Sequence, residues 1–361
     1  FETNYKIILF LFKYFNFLDY LIFLFAIIKY NLVTENITLM TWMKQCKLSK
    51  TAIKAITILS IIICDKPENT NINDFFCSMG LSVPKQMIEP NKWHIMIEEY
   101  LKTNKNVTIL KNTKVIKLIN AKKSNTINSV YIKNILDNSY SKIKGDKIFL
   151  CTQSNNIYPI LKLSSHNVKN NWMKEKKMKL WSENTFYIGF GFQLHFDKKI
   201  DFKNEWCWSC QDDWTVIILP VSNWLKTFSK DPKVKTVWSC CIVDMDTKSK
   251  NINKTAHECK LNEVINECMY QIKKSYNIPK PYKITTSQGL TKHNNKWISK
   301  NTGYTKSNYN DLSMKGKIDN LFALGCFTRE NKPVISYMGG AIDSVANYIK
   351  IYEKNIKIKI F

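Results

Sequence analysis

The residues with the most chemical content lie close to the carboxyl end. They are Asn320-Leu-Phe-Ala-Leu-Gly325-Cys326-Phe-Thr328-Arg329, followed by Ser336-Tyr337-Met338-Gly339-Gly340-Ala341-Ile-Asp-Ser344. An apolar strand that ends in glycine lets a ligand come close to the backbone. A glycine pair that opens a helix leaves N–H groups without intrahelical partners, at the positive end of the helix dipole. Together these suit an anion or an electron-rich carbonyl. The plainer alternative, a strand–loop–helix whose glycines serve packing alone, stays open at this point.

Other reactive side chains carry weaker signals. Cys207-Trp-Ser-Cys210 is a C-x-x-C with Cys240-Cys241 further on. A zinc site wants a second pair at similar spacing, in turn-rich surroundings. Here Trp206 and Trp208 flank the pair in an apparent strand, so the thiols read as small buried hydrophobes. Eleven cysteines over a long chain do not resemble a disulfide framework, which points to the cytoplasm or another reducing compartment. His195 alternates with apolar neighbours in a strand and reads as a structural histidine rather than a catalytic one. Trp206, Trp208, Trp214, Trp224, Trp238 and Trp297 have core packing as their plainest use. Gly189-Phe-Gly191 sits in an alternating run with no helix after it, and none of the 10 glycines forms a G-x-G-x-x-G.

Elements able to position the carboxyl-terminal segment can be read along the chain. Ser49 caps an apolar helix running to Cys64, and Asn91 precedes an amphipathic helix with Trp93, Met96, Ile97, Tyr100 and Leu101 on one stripe. Short β-like runs follow at Val107–Leu110, Val115–Ile119 and Ser129–Ile132, and after a polar turn at Gly145–Thr152. Residues from Thr185 are β-rich, with runs at Phe186–Phe196, Thr215–Leu219 and Val237–Val243. Leu261, Val264, Ile265, Cys268, Met269 and Ile272 form one helical stripe, and 278–316 reads as loop. Leu321–Gly325 is a buried strand, with a helix opening near Met338. The expected class is α/β (α+β mixed), one domain being interrupted by another.

Composition narrows the partners. The formal charge is +25, from 54 Lys+Arg against 29 Asp+Glu. Arg329 is the single arginine, so 53 of the 54 cations are lysines. Base readout and bidentate phosphate clamps favour Arg's planar fork, so nucleic acid is not the expected partner. Ile7–Ile28 is long enough to span a membrane, but Lys13, Asn16 and Asp19 interrupt it. A charge at mid-span costs about 2.5–3.5 kcal/mol on insertion scales. A buried helix, a helix lying on a membrane surface and a spanning helix stay open, in that order.

The carboxyl-terminal segment resembles the flavin-binding motif of the FAD-dependent amine oxidase and phytoene-desaturase-like superfamily. There a strand ending Leu-Phe-x-x-Gly-(Asp/Glu) precedes Met-Glu-Gly-Ala-x-x-Ser-Gly at a helix start. Pro90–Leu101, Asn106–Val115 and Gly145–Thr152 are similar to further parts of that family's cofactor domain, and Tyr5–Cys64 and Phe190–Phe196 fit its substrate domain more loosely. The resemblance implies a discontinuous Rossmann-like FAD-binding domain at 88–160 and 317–361. A substrate domain at 1–87 and 161–316, with a helix at 258–275, would be interleaved with it. It implies FAD as cofactor, a small organic substrate, and oxygen or another electron acceptor.

Residue by residue, it puts Gly340 and Ala341, with Met338 and Gly339, at the flavin pyrimidine. Gly325 and Cys326 fall at the ribityl-pyrophosphate, Val115 at the adenine, and Tyr337 facing the isoalloxazine. No catalytic residue is assigned. Cys326 and Gly339 stand where the family carries acids, and Val345 stands where it carries glycine. The family's opening βαβ with G-x-G-x-x-G, a unit of roughly 30 residues or more, has no counterpart. With Phe1 as first residue, the expectation is an N-terminally incomplete cofactor domain. The rival expectations are a cofactor-free homologue acting as an interaction protein, and a basic binder of nucleic acid or membrane surface.

Overall fold

Asn16 decides where the first helix begins. In the computed structural model its side chain accepts the Asp19 N–H at 2.8 Å, and the Asp19 carboxylate accepts the Asn16 N–H at 3.3 Å. This reciprocal capping box starts helix α1 at Phe17–Leu32. Asn16 and Asp19 are therefore not polar groups stranded within a helix; they cap its start, residues 14–16 are not helical, and residues 7–13 of the expected segment lie outside the described residues. The structure describes residues 14–63, 66–80, 90–121, 124–187, 189–201, 208–210, 213–223, 225, 227–287, 289–299, 304–305, 312–330 and 338–356. Among these, no helix is long and apolar enough to cross a membrane.

Helices α2 (Leu39–Gln45), α3 (Lys50–Ile63) and α4 (Ile72–Gly80) complete a helical unit with α1. Ser49 caps α3 as its sequence predicts, its hydroxyl accepting the Ala52 N–H. The core of the unit is aromatic. Phe76 meets Phe23, Tyr30, Trp42 and Phe75 at ring-centroid separations between 5.1 and 5.6 Å, and such pairs add about 0.5–1.5 kcal/mol each beyond burial. Helix α5 (Pro90–Thr103) forms at the expected place, starting at Pro90. Its predicted core stripe is uncovered, however, with Met96 and Tyr100 exposed.

Strands β1 (Thr113–Asn120), β2 (Ile127–Asn134) and β3 (Tyr140–Lys144) form an antiparallel meander, followed by β4 (Ile148–Leu150). Val107–Leu110 is not a strand, and the stretch expected as a polar turn before Gly145 contains β3. Every residue of β3 is exposed, so no alternation of apolar and polar side chains marks it. Helices α6 (Ser154–Lys162), α7 (His166–Lys169) and α8 (Glu175–Asn184) follow.

Strand β5 (Phe186–Tyr187) leads to β6 (Phe190–Phe196), β7 (Trp208–Cys210), β8 (Val216–Leu219), β9 (Thr236–Ile242), helix α9 (Leu261–Ser275) and β10 (Lys283–Thr286). Five of these strands build an antiparallel sheet in the order β10-β6-β9-β8-β7. Its core holds Trp214, Trp238, Trp297, Cys240, Cys259 and Cys268, so these tryptophans and thiols are packing groups. Val264, Cys268 and Ile272 of the α9 stripe are buried, while Leu261 is exposed. The stretch 278–316, expected as loop, carries β10, a hairpin of β11 (Leu290–His293) and β12 (Lys296–Ser299), and β13 (Tyr304–Thr305), which pairs with β5. Asn294 and Asn295 both have positive φ, 47° and 58°, as a two-residue hairpin turn requires.

The last strand, β14 (Leu321–Ala323), returns to β4 and pairs with it in parallel, Leu321 to Ile148, Phe322 to Phe149 and Ala323 to Leu150. Helix α10 (Met338–Tyr352) closes the described chain. The molecule is thus a mixed α/β protein, in which an antiparallel sheet and a helical unit accompany a small parallel pair.

Candidate functional site

Among the described residues β4–β14 is the one parallel pair of strands. In parallel α/β arrangements ligands bind beyond the carboxyl ends of the strands. The pairing runs one step further, the Leu324 N–H donating to the Leu150 carbonyl at 3.1 Å. Cys151 and the Gly325–Cys326 turn therefore stand together at that end.

Helix α10 runs back along the pair. Its Ser344 hydroxyl accepts the Gly325 N–H at 2.8 Å, at the carboxyl end of β14. One turn on, Tyr348 lies 5.0 Å from both Phe149 and Phe322. Tyr352 packs on Phe322 at 5.4 Å, and beyond the helix Glu353 binds Lys147, just before β4. The helix is thereby antiparallel to the strands. Its opening turn, Met338 to Ala341, projects to about 9 Å beyond Ser344 at 1.5 Å per residue. Gly340 is buried and Ala341 exposed. Gly325, Cys326 and the start of α10 thus meet at one end of one pair, while Tyr337 lies outside the described residues.

Gly325 has a steric reason to be glycine. A Cβ there would sit 2.4 Å from the Phe327 ring, which is buried and packs edge-on against Trp181 at 5.7 Å. Its backbone is also engaged: Ser344 accepts its N–H, and its carbonyl accepts from the Thr328 hydroxyl at 3.0 Å and the Thr328 N–H at 3.2 Å. Cys326 is half-buried.

Val115 lies apart from this cluster. It is half-buried in β1, paired with Ile132. Among the described residues no hydrogen bond or ring contact joins it to Gly325, Cys326 or α10. The meander is clasped at another point, where the Asn320 side chain accepts the Ile127 N–H at 2.7 Å and donates to the Ile127 and Asp146 carbonyls at 2.9 and 3.1 Å.

Two groups at the site carry no signal in sequence. Ser154 Oγ and Asn155 Oδ1, at the start of α6 just past β4, are buried with no hydrogen-bond partner among the described residues. Only the strand-to-helix junction hints at them. The ionisable groups nearest α10 are tuned by each other. Lys147 first, then Tyr348, holds Glu353 below the usual carboxylate range, and burial followed by the Glu353 contact pushes Tyr348 up.

Away from this end, His195 bonds Thr285 Oγ1 at 3.1 Å, and burial lowers its pKa. Burial lifts the Cys241 thiol to about 11, which leaves it protonated and unreactive at neutral pH. Cys207 lies outside the described residues, and no metal-ligating cluster occurs among those described. An open cleft beside the last turn of α9, lined by Lys273, Ser275, Tyr276 and Ile278, contains none of the candidate residues.

No protein-family model matches the chain, and no curated protein matches it. A protein from Pyrococcus furiosus aligns over 88% of this chain and 68% of its own, at 10% identity and a TM-score of 0.47. An oxidoreductase from Methanosarcina mazei aligns over 93% of this chain and 73% of its own, at 11% identity and a TM-score of 0.60. The mixed α/β chain is thus similar in fold, across nearly its whole length, to a known oxidoreductase.

Proposed function

We propose that the chain is an FAD-dependent oxidoreductase of the amine oxidase and desaturase type. It would remove hydride from a C–N or C–C bond of a small organic substrate, with oxygen or another acceptor taking the electrons onward. The observation that carries this reading is the Gly325–Ser344 bond, which fixes the opening of α10 over the carboxyl end of β4–β14. A helix start at that position favours negative charge and electron-rich carbonyls.

The residues fit such a group in part. Ala341 is exposed in the first turn of α10, and Ser154 Oγ and Asn155 Oδ1, without hydrogen-bond partners among the described residues, offer polar contacts just past β4. In this reading Met338, Gly339, Gly340 and Ala341 face the flavin pyrimidine, and Gly325 with Cys326 borders the ribityl-pyrophosphate. Val115 reaches the adenine and Tyr337 faces the ring. Bound flavin supplies the hydride acceptor. The chain's own residues hold it, orient the substrate and exclude water. The similarity in fold to the Methanosarcina mazei oxidoreductase supports the same class.

A second reading, a cofactor-free homologue acting through interactions, draws on Gly325, whose N–H and carbonyl are both bonded within the chain. Titrating the purified chain with FAD, followed by flavin absorbance and fluorescence, separates the two. Saturable uptake supports the enzyme. A chain that stays colourless and leaves flavin fluorescence unchanged is the cofactor-free protein.

A further inference from the structure

Helix α1 has two apolar faces, and among the described residues only one has a partner. At 100° per residue, the buried residues Asp19, Phe23, Ala26 and Tyr30 fall within a 60° arc against α4. Phe17, Leu18, Leu21, Phe25, Ile28 and Leu32 fall within a 100° arc on the opposite side and are 45–80% exposed. No charged side chain interrupts that arc. Lys29, at its border, is bridged to Glu35 at 2.6 Å. A solvated surface helix would carry polar groups there, and a contiguous exposed apolar stripe marks an interaction surface.

Charge identifies what the stripe meets. Residues 14–63 hold five lysines, Lys29, Lys44, Lys47, Lys50 and Lys54, against two carboxylates. One of those, Asp19, is buried, and the other, Glu35, is bridged to Lys29. Lys44, Lys47, Lys50 and Lys54 are all exposed. The Asp19 carboxylate accepts the Ser49 N–H at 2.9 Å, which brings the Lys47–Lys50 loop beside the first turn of α1. Four exposed lysines therefore belong to the same helical unit as the apolar stripe. A second copy of the chain would set two such cationic units together, each on a molecule of charge +25. A bilayer with anionic headgroups offers the complementary pair, an apolar interior for the stripe and phosphates for the lysines.

We propose that the exposed face of α1 docks the protein on anionic membrane surfaces, with the helix lying in the interfacial plane. This inference does not depend on flavin binding.

The test is sedimentation of the full chain with vesicles, either equimolar phosphatidylcholine and phosphatidylglycerol or phosphatidylcholine alone. The expected result is binding to the anionic vesicles that weakens with salt, and little binding to the neutral ones. Combined Leu21→Ser, Phe25→Ser and Ile28→Ser should lower partitioning by on the order of a hundredfold. Lys44→Gln, Lys47→Gln and Lys50→Gln should each lower it by about fivefold. Because the three apolar side chains are exposed, the serine variant should melt like the parent in the absence of vesicles. Equal binding to both vesicle types, or to neither, would overturn the proposal. So would light scattering that shows a dimer abolished by the serine variant. A large loss of thermal stability in that variant would show the face covered within the chain, and would overturn it equally.

Discussion

The Gly325 N–H donates to the Ser344 hydroxyl at 2.8 Å, joining the end of β14 to the second turn of α10. Ser344 is fully buried, so water cannot replace it. Ser344→Ala should therefore destabilise the chain by about 1–3 kcal/mol, read from chemical denaturation. In the proposed enzyme the same change should also weaken flavin uptake, because it frees the helix opening from the strand.

Gly325→Ala tests the other side of that junction. The added Cβ would approach the Phe327 ring to 2.4 Å, and overpacking of this kind costs about 1–3 kcal/mol. Phe327→Leu removes the ring edge. The double variant should then lose less stability than the two single losses combined, a coupling that a double-mutant cycle measures directly. Strict additivity would mean that the ring does not dictate glycine at this turn.

Ala341→Glu separates ligand binding from folding. A carboxylate in the first turn of a helix favours the helix by about 0.3–1 kcal/mol, and Ala341 is exposed, so the melting temperature should hold or rise. An electron-rich flavin edge at the same helix start would meet a like charge, and FAD affinity should fall by about tenfold. Unchanged affinity would remove the start of α10 from the flavin site.

The Lys147–Glu353–Tyr348 cluster should shape both pH limbs of stability. Glu353 is lowered in the folded chain, so its contribution is present above the ordinary carboxylate value of 4.5 and fades as pH falls through the lowered folded value. Tyr348 is raised, so its contribution is complete below the ordinary tyrosine value of 10.0 and is lost as pH climbs above it. Glu353→Gln should flatten the acid limb and Tyr348→Phe the alkaline limb, in denaturation midpoints collected across pH.

Asp19 serves two elements at once. Its carboxylate accepts the Asn16 N–H at 3.3 Å and the Ser49 N–H at 2.9 Å, and also the Ser49 hydroxyl. Asp19→Ala should cost roughly 2–3 kcal/mol and lower the helical circular dichroism signal, since it uncaps α1 and releases the start of α3.

Sequence carried the elements whose spacing is local. The α9 stripe, the Ser49 cap and the Leu321–Gly325 strand before a glycine-led helix were legible because each is written in neighbouring residues. Asn16 and Asp19 misled because a capping box inside an apolar run looks like a flaw in a long helix. Strand β3 was invisible for want of any buried residue, and β11–β12 showed only through Asn294 and Asn295. Glu267, on the buried side of α9, escaped notice as a core residue. Its carboxyl group accepts hydrogen bonds from Ser249 and Asn251 at 2.6 Å and from Gln271 at 2.9 Å, and two of these come from outside the helix. Of the candidate site, the order of Gly325 and Gly340-Ala341 was legible, but not the Phe327 ring that dictates Gly325, nor the separate position of Val115.

The β4–β14 pairing also has a consequence for biosynthesis. Phe149 and its ladder partner Phe322 are separated by 173 residues (322 − 149). At a synthesis rate of about 5–20 residues per second, the partner strand reaches the ribosome exit about 9–35 s after β4. Through that interval a short apolar strand has an unsatisfied edge, a template for wrong pairing. The nascent chain must shelter that edge, in the growing polypeptide or on a chaperone, until the last strand emerges and α10 seals it.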